Sequence, residues 1–225
     1  MNTELATYEK KNVVMSMREV ISMIIIIFGV MYGIGFLNII YDSSLYPWYV
    51  DHLIPPFTFC MIIVMYAPAR NCCLHLIKSL QFNNLKHYVT IVITTIVMLM
   101  YLAVLNVVLP HGLGVDESNI VIEPTTSEII LYVVVLTTFA PIWEEIVFRG
   151  MFFMKLSQRF STLSSAAISA FIFTLGHPLT VGSILYIFGM GICLAYTYKR
   201  TKNLLVPIGI HLLNNSFYLL LNFQL

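Results

Sequence analysis

Long apolar runs alternate with short polar stretches along almost the whole chain. Seven of these runs are near the ~20 residues that an α-helix needs to cross a hydrocarbon core of ~30 Å. They cover about residues 20–41, 49–68, 88–109, 128–154, 161–177, 182–198 and 203–222. The pattern predicts an all-α fold, a polytopic membrane helix bundle with about seven transmembrane helices.

Two of the seven spans are less regular, so six to eight helices are compatible with the pattern. Asp51, His52 and Pro55-Pro56 interrupt the start of the second span. The fifth span is short and ends at Gly176-His177-Pro178. Its link to the sixth span is therefore expected to dip into the membrane.

Composition favours an integral membrane protein over a soluble one with a large core. Of 225 residues, 59% are hydrophobic and only 10% are charged, whereas a soluble domain carries about 25% charged residues. The formal net charge of +1 gives no reason to expect a nucleic-acid partner. The four cysteines are not spaced as a metal knuckle, and free thiols are expected at Cys60, Cys72, Cys73 and Cys193.

The basic residues of the loops fall on one side of the predicted bundle. Eleven of the twelve Lys and Arg residues precede the first span or follow the second, fourth and sixth spans. The opposite loops contain Asp42, Asp116, Glu117 and Glu123 but neither Lys nor Arg. Because cytoplasmic loops carry an excess of Lys and Arg, we expect a multi-pass protein of the cell membrane with a cytoplasmic N-terminus and an extracellular C-terminus.

The domain organisation follows from the positions of the spans. Residues 1–18 form a polar cytoplasmic segment, residues 19–127 an N-terminal transmembrane region, and residues 128–222 the transmembrane region that carries the polar motifs. The first span contains Gly29-x-x-x-Gly33, whose small side chains favour close helix packing in lipid. Histidines outside the motifs are interpreted as solvated: His52 near the outer surface, and His75, His87 and His111 in loops.

Residues 141–150 place two adjacent glutamates and an arginine inside an otherwise apolar run. In lipid each such charge costs at least ~2.5–3.5 kcal/mol, so ionisable groups there are functional candidates. Glu145 and Arg149 are four residues apart on one helical face and are expected to form a structural ion pair. Glu144 points about 100° away around the helix, so we predict that it faces a polar cavity.

Three further polar groups lie in the late spans. His177 closes the fifth span, and His211 and Asn215 are four residues apart on one face of the seventh. Measured from the basic ends of the spans at ~1.5 Å per residue, these three and Glu144 all reach the middle of the bilayer. A proline lies close to each motif, which is tolerated at membrane depth beside a watered, protein-lined cavity.

One carboxylate, two imidazoles and a carboxamide suit two kinds of hydrolysis. In the first, Glu144 takes a proton from water, His177 assists the water, and His211 and Asn215 donate hydrogen bonds to the developing oxyanion. In the second, Glu144, His177 and His211 bind Zn²⁺ and leave one position open for water. The set contains no strong nucleophile. Both alternatives remain open, so the cofactor is either Zn²⁺ or none.

In their order and spacing, these residues resemble the motifs of the CPBP family. Its members are the CAAX proteases and bacteriocin-processing enzymes, also called Abi-domain intramembrane proteases. The matching motifs are Glu144-Glu145-x-x-x-Arg149, Phe173-x-x-x-His177 and His211-x-x-x-Asn215. The resemblance covers about residues 128–220. Each motif alone is weak, and the ordered set is specific.

The resemblance implies an all-helical membrane endopeptidase. Glu144 and His177 would activate water, and His211 and Asn215 would form the oxyanion site. Phe173 would pack or form a wall of the cavity. The implied substrate is a membrane-associated peptide or a lipid-anchored protein, such as a peptide pheromone or bacteriocin precursor, cleaved near the cytoplasmic half of the membrane.

Two other functions fit parts of the sequence. A non-catalytic protein for bacteriocin self-immunity, or a scaffold, would keep the fold and bind a partner, but it need not hold four polar groups at one depth. A small proton-coupled transporter would use the buried carboxylate. The chain lacks the inverted repeats or paired broken helices that such a transporter usually has. Apart from the substrate and the lipid bilayer, the sequence indicates no partner and no oligomeric state.

Overall fold

The computed structural model describes residues 15–40, 50–109 and 125–222, and these are helical apart from short turns. The helices are α1 (Met17–Ile40), α2 (Val50–Met65), α3 (Ala67–Lys78), α4 (Leu85–Val108), α5 (Thr126–Leu156), α6 (Thr162–Leu175), α7 (Val181–Thr201) and α8 (Leu205–Asn222). The described ranges contain no β-strand. The predicted all-α, polytopic membrane bundle is confirmed.

The helices differ in how well they match the thickness of a membrane. Four of them, α1, α4, α5 and α7, are long and apolar enough to cross it, at 21 to 31 residues each. Helices α6 and α8 are apolar but shorter. Helices α2 and α3 form a pair bent by 107°. The seven predicted spans thus correspond to seven helices, and α3 is additional.

Helix α3 begins at Ala67, next to the predicted end of the second span at residue 68. Tyr66 is extended, and Pro68 occupies the first turn of α3, where a missing N–H costs nothing. The helix buries Ala69, Cys73 and Leu76 and exposes Arg70, His75 and Lys78. This amphipathic pattern suits a helix lying along the membrane surface, which agrees with the bend between α2 and α3.

Small residues set the close contacts between helices. A Cβ atom on Gly191 of α7 would lie 2.8 Å from the Cβ of Ala170 in α6, and one on Gly150 of α5 would lie 2.6 Å from Leu76 of α3. Gly29 and Gly33 differ, because no atom lies within 4 Å of either Cβ position. The expectation that this pair packs against another helix is therefore not met within the single chain.

His87 is buried, so its interpretation as a solvated loop residue is wrong. It lies in the first turn of α4 with 6% of its surface exposed. Its Nδ1 is 2.8 Å from Nδ2 of Asn203, which also donates to the carbonyl oxygen of Gln81. This cluster joins the α3–α4 loop to the α7–α8 turn. His75 is exposed as expected, and His111 lies outside the described residues.

Candidate active site

Helix α5 carries the two glutamates on an irregular backbone. It is π-helical at Val135–Phe139 and at Ile146–Phe153, on either side of the α-helical turns Ala140–Glu145. Pro141 contributes to this irregularity because it has no N–H to donate. Single π-turns inside α-helices occur frequently at functional sites. Here they frame the segment that contains Glu144 and Glu145.

Glu145 lies at the centre of a buried network. Its Oε1 accepts a hydrogen bond of 2.8 Å from Nη1 of Arg149 and lies 2.9 Å from Nδ1 of His211. Glu145 has no exposed surface, and the other two residues are 1% exposed. The expected ion pair is therefore present, and it includes an imidazole from α8. Because an ionised carboxylate can only accept, Nδ1 of His211 carries the hydrogen of this contact.

The second nitrogen of His211 faces the other glutamate. Its Nε2 is 3.7 Å from Oε2 of Glu144. With both glutamates ionised and Arg149 charged, the cluster carries one excess negative charge. Glu144 and His211 are thus close neighbours that are not hydrogen-bonded to each other.

Glu144 and His177 line one cavity of about 130 Å³. The side chain of Glu144 is 13% exposed, and its Oε2 has no hydrogen-bond partner among the described residues. Nδ1 of His177 lies 2.9 Å from the carbonyl oxygen of Phe173. Since a carbonyl oxygen only accepts, Nδ1 carries hydrogen, and Nε2 of the neutral ring is an acceptor. The cavity therefore brings together two groups able to take a proton.

Phe173 packs between the charged network and the cavity. Its ring centroid lies 4.3 Å from Cζ of Arg149, 4.7 Å from the His177 ring and 5.9 Å from the His211 ring. It is 1% exposed. The contact with Arg149 has the geometry of a cation–π interaction. Phe173 thus serves both as packing and as a wall of the cavity.

Asn215 is placed differently from Glu144 and His177. Its Nδ2 donates a hydrogen bond of 2.9 Å to the carbonyl oxygen of Leu136, which belongs to the first π-helical segment. Neither Asn215 nor His211 is among the described residues that line the cavity. The structure therefore brings Glu144, His177 and His211 into one neighbourhood. The hydrogen bond from Asn215 to Leu136 instead joins α8 to α5.

Two cavity-lining residues were missed by reasoning from the sequence. Trp143 is 8% exposed, and its Nε1 has no hydrogen-bond partner among the described residues. The sequence did contain one signal for Trp143: it has a polar indole N–H and directly precedes Glu144 in the chain. His52 is exposed, as expected, but it also lines the cavity, with its ring 5.0 Å from that of Tyr132. No sequence signal joins His52 to the motifs, because it precedes Glu144 by almost a hundred positions.

Zinc has no complete set of ligands in the described part of the chain. No three His, Cys, Asp or Glu side chains there come close enough together to hold a metal ion. Nδ1 of His211 is already bonded to Glu145, and its Nε2 is 3.7 Å from Glu144. Glu144, His177 and His211 do not fit a bound zinc in this arrangement, so the chemistry below is derived from the side chains alone.

Comparisons with known proteins agree with the motifs. Residues 126–217 match the family model described as type II CAAX prenyl endopeptidase Rce1-like. The chain is 32% identical over 114 residues to the putative membrane peptidase YdiL of Bacillus subtilis (strain 168), covering 50% of this chain and 46% of the relative. It is 29% identical over 140 residues to the membrane-embedded CAAX protease MroQ of Staphylococcus aureus (strain USA300), covering 56% and 54%.

The chain therefore spans about half the length of the curated relatives it matches. No solved structure matches it. The matched residues include all three motifs and the helices that carry them, from α5 to α8. The similarity to CAAX-type membrane proteases therefore covers residues 126–217, the part of the chain whose motifs resemble those of the CPBP family.

Proposed function

We propose that this protein is an intramembrane endopeptidase that hydrolyses a peptide bond in a membrane-associated peptide or protein. One observation carries the proposal. Glu144 and His177 line the same cavity, and both side chains are of a kind that can accept a proton. Hydrolysis at neutral pH needs a base beside the attacking water. The names of the family and of both relatives support the same class of reaction.

In the proposed reaction, Glu144 takes one proton from a water molecule that also hydrogen-bonds to Nε2 of His177. The water oxygen attacks the carbonyl carbon of the substrate. The C–N bond then breaks, and Glu144 returns the proton to the leaving nitrogen. Glu145 holds the His211 ring through Nδ1, which leaves Nε2 of His211 3.7 Å from Glu144.

The oxyanion of the intermediate needs hydrogen-bond donors. We retain His211 and Asn215 for this role because of their motif. Nε2 of His211 can donate only in the protonated ring, because Nδ1 is already bonded to Glu145. Asn215 has a second N–H beyond the one bonded to Leu136. Trp143 also lines the cavity, and its buried Nε1 has no hydrogen-bond partner among the described residues.

The proposed substrates are polypeptides that reach the cavity from the membrane. Most residues around Glu144 and His177 are apolar, including Phe28, Pro55 and Leu136, so apolar side chains next to the scissile bond are favoured. Precursors of peptide pheromones or bacteriocins are the class that we propose. Prenylated proteins, which the family description names, are a second branch to be tested in the same assay.

The test compares Glu144→Gln and His177→Ala with His75→Ala, a matched control on exposed α3. Purified variants are reconstituted in liposomes with a quenched-fluorescent peptide library that includes prenylated members. Loss of a general base typically costs ~10²–10⁴-fold in rate, so both site variants should lose cleavage while keeping wild-type melting temperatures. The control should cleave normally.

Equal cleavage by all three variants would disprove the assignment. A wild-type protein that cleaves nothing would favour an immunity or scaffold function.

A zinc chelator added to the same assay tests whether cleavage needs a bound metal ion. If side chains alone activate water, cleavage should continue in the presence of a strong zinc chelator. Loss of cleavage that added Zn²⁺ restores would instead assign the metal to Glu144, His177 and His211. Metal content of the purified wild type, compared with that of Glu144→Gln, provides an independent readout.

A further inference from the structure

We infer that a second cavity, beside helix α3, binds the headgroup of an anionic phospholipid. This α3 cavity measures about 250 Å³ and shares no lining residue with the cavity of Glu144 and His177. Its walls come from the start of α1, the second half of α3, the last turns of α5 with the residues that follow, and the last turns of α7. Such a site is separate from the proposed peptidase activity and can be tested without it.

Three polar side chains in the α3 cavity are able to donate hydrogen bonds. Lys155 and Gln158, at the end of α5, line it together with Tyr198 of α7. Their side chains have no hydrogen-bond or ion-pair partner among the described residues. Cys72 of α3 interacts electrostatically with both Lys155 and Tyr198, so these groups lie close together. An ammonium, a carboxamide and a phenol hydroxyl suit an anionic oxygen, because all three are donors.

The positive charge of Lys155 is not neutralised by a carboxylate in direct contact within the described part of the chain. Glu19 of α1 is close enough to interact with Lys155 electrostatically. Its carboxylate, however, accepts hydrogen bonds from the Tyr66 hydroxyl and the Ser16 backbone N–H. A charged ligand oxygen at Lys155 would therefore form a new charge-assisted hydrogen bond without breaking an existing ion pair.

The position of Lys155 has a second explanation, which a comparison with Lys78 separates from the first. Lys155 lies in the last turn of α5, where a positive charge complements the helix dipole. Lys78 has the same position in α3, but it does not line the α3 cavity. The two lysines thus share the structural role and differ in access to the proposed ligand.

The remaining walls of the α3 cavity favour an amphiphile over a free anion. Val20, Leu76 and Met151 line it and are at most 8% exposed. Helix α3 is amphipathic and suits the membrane surface, where the phosphate of a lipid lies next to apolar chains. The helix ends around the cavity also carry the basic residues that predict the cytoplasmic side, and basic pockets between helices on that side bind anionic headgroups. The phosphate would contact Lys155, and the start of the acyl chains would pack on the apolar walls.

Lipid binding to the purified full chain tests this site. Protein in a neutral detergent is titrated with short-chain phosphatidylglycerol, with phosphatidylcholine of the same chain length, or with inorganic phosphate. Bound molecules are counted by native mass spectrometry. We expect one phosphatidylglycerol per chain. Phosphatidylcholine should bind more weakly because it has no net charge, and inorganic phosphate because it has no apolar part.

Lys155→Gln should weaken binding of phosphatidylglycerol by at least ~10-fold, because a hydrogen bond between charged groups is lost. Lys78→Gln is the matched control, with the same change of charge on the same helix-end position, and should bind as the wild type does. Tyr198→Phe removes one donor and should weaken binding to a smaller extent. Its control is Tyr196→Phe, because Tyr196 is 42% exposed and does not line the α3 cavity.

Four results would overturn the inference. Equal losses in Lys155→Gln and Lys78→Gln would indicate diffuse attraction of lipid to a basic surface. Equal affinities for phosphatidylglycerol and phosphatidylcholine would remove the requirement for negative charge, and equal affinities for phosphatidylglycerol and inorganic phosphate would assign the site to a soluble anion. Binding observed only after deletion of residues 2–13 would show that the chain itself fills the cavity. None of these readouts depends on peptide cleavage.

Discussion

Glu144 and Glu145 are neighbours in the chain but have separate partners. Glu145 is bonded to both Arg149 and His211 in a site with no exposed surface. Each glutamate keeps one carboxylate oxygen without a hydrogen-bond partner among the described residues, but of the two only Glu144 borders the cavity. We therefore assign structure to one carboxylate and proton transfer to the other.

Substitutions at Arg149 and Glu145 should affect stability rather than chemistry alone. Arg149→Ala leaves a buried carboxylate uncompensated, at a cost of ~3–5 kcal/mol, and should lower the amount of folded protein. Glu145→Gln should be milder because the amide keeps its volume and an acceptor oxygen. Glu144→Gln should retain the wild-type melting temperature. Melting in detergent and peptide cleavage are measured for all three. If Glu145→Gln lost activity at unchanged stability while Glu144→Gln stayed active, the assignment would be reversed.

Trp143 offers a test of the oxyanion site. Trp143→Phe keeps an aromatic ring against Phe59, whose centroid is 6.1 Å away, but removes the N–H. Loss of one oxyanion donor typically costs ~10²–10³ in rate. We expect a lower kcat, with KM and melting temperature close to wild type. Phe59→Leu is the control for packing. A kcat of Trp143→Phe equal to that of the wild type would remove the indole from the proposed mechanism.

Contacts of residues close in sequence could be predicted, and contacts of distant residues could not. The ion pair of Glu145 with Arg149 follows from helical spacing alone. The bond of Glu145 to His211 joins positions 66 apart, and that of His87 to Asn203 joins positions 116 apart. Such contacts depend on how helices pack, which one sequence does not state. The catalytic roles of Glu144, His177, His211 and Asn215 remain predictions.

At the scale of the element, the irregular helix α5 is the feature that the sequence least determined. Apolar length predicted its existence and nearly its bounds, at 128–154 against Thr126–Leu156. The π-helical segments depend on tertiary contacts, such as the hydroxyl of Ser169 donating to the carbonyl oxygen of Phe148. The bend after α2, between Met65 and Ala67, lies close to the predicted end of the second span at residue 68.

The contact of α6 with α7 can be tested through their small residues. Gly191→Ala places a Cβ 3.0 Å from the backbone of Ala170, and overpacking of this kind costs ~1–3 kcal/mol. We expect a lower melting temperature and reduced cleavage, because α6 leads to His177. Gly29→Ala is the matched control, with open space at its Cβ position. Equal melting temperatures for the two variants would show that α6 and α7 are less closely packed than described.

At the scale of the whole molecule, the number and order of the helices followed from hydropathy because crossing a membrane requires a minimum apolar length. The orientation of the bundle followed from the loop charges and remains a prediction. Which helices surround the cavity was not predictable. Helices α1 and α2 contribute Phe28 and His52 to it, although the family resemblance does not include them. The division into residues 19–127 and 128–222 therefore describes sequence similarity better than it describes the site.

The shortness of α6 has a consequence for the surrounding bilayer. Its 14 residues extend only about 21 Å, against a hydrocarbon core of ~30 Å. A short apolar segment causes local thinning of the lipid, and at this point the thinned leaflet lies over His177. Water, which is a reactant, then has a shorter path to the site. We expect cleavage to be faster in lipids with short acyl chains than in lipids with long ones, measured in otherwise identical liposomes. Rates in detergent micelles serve as the reference. In this interpretation, the thickness of the host membrane sets the supply of water and with it the rate of the proposed cleavage.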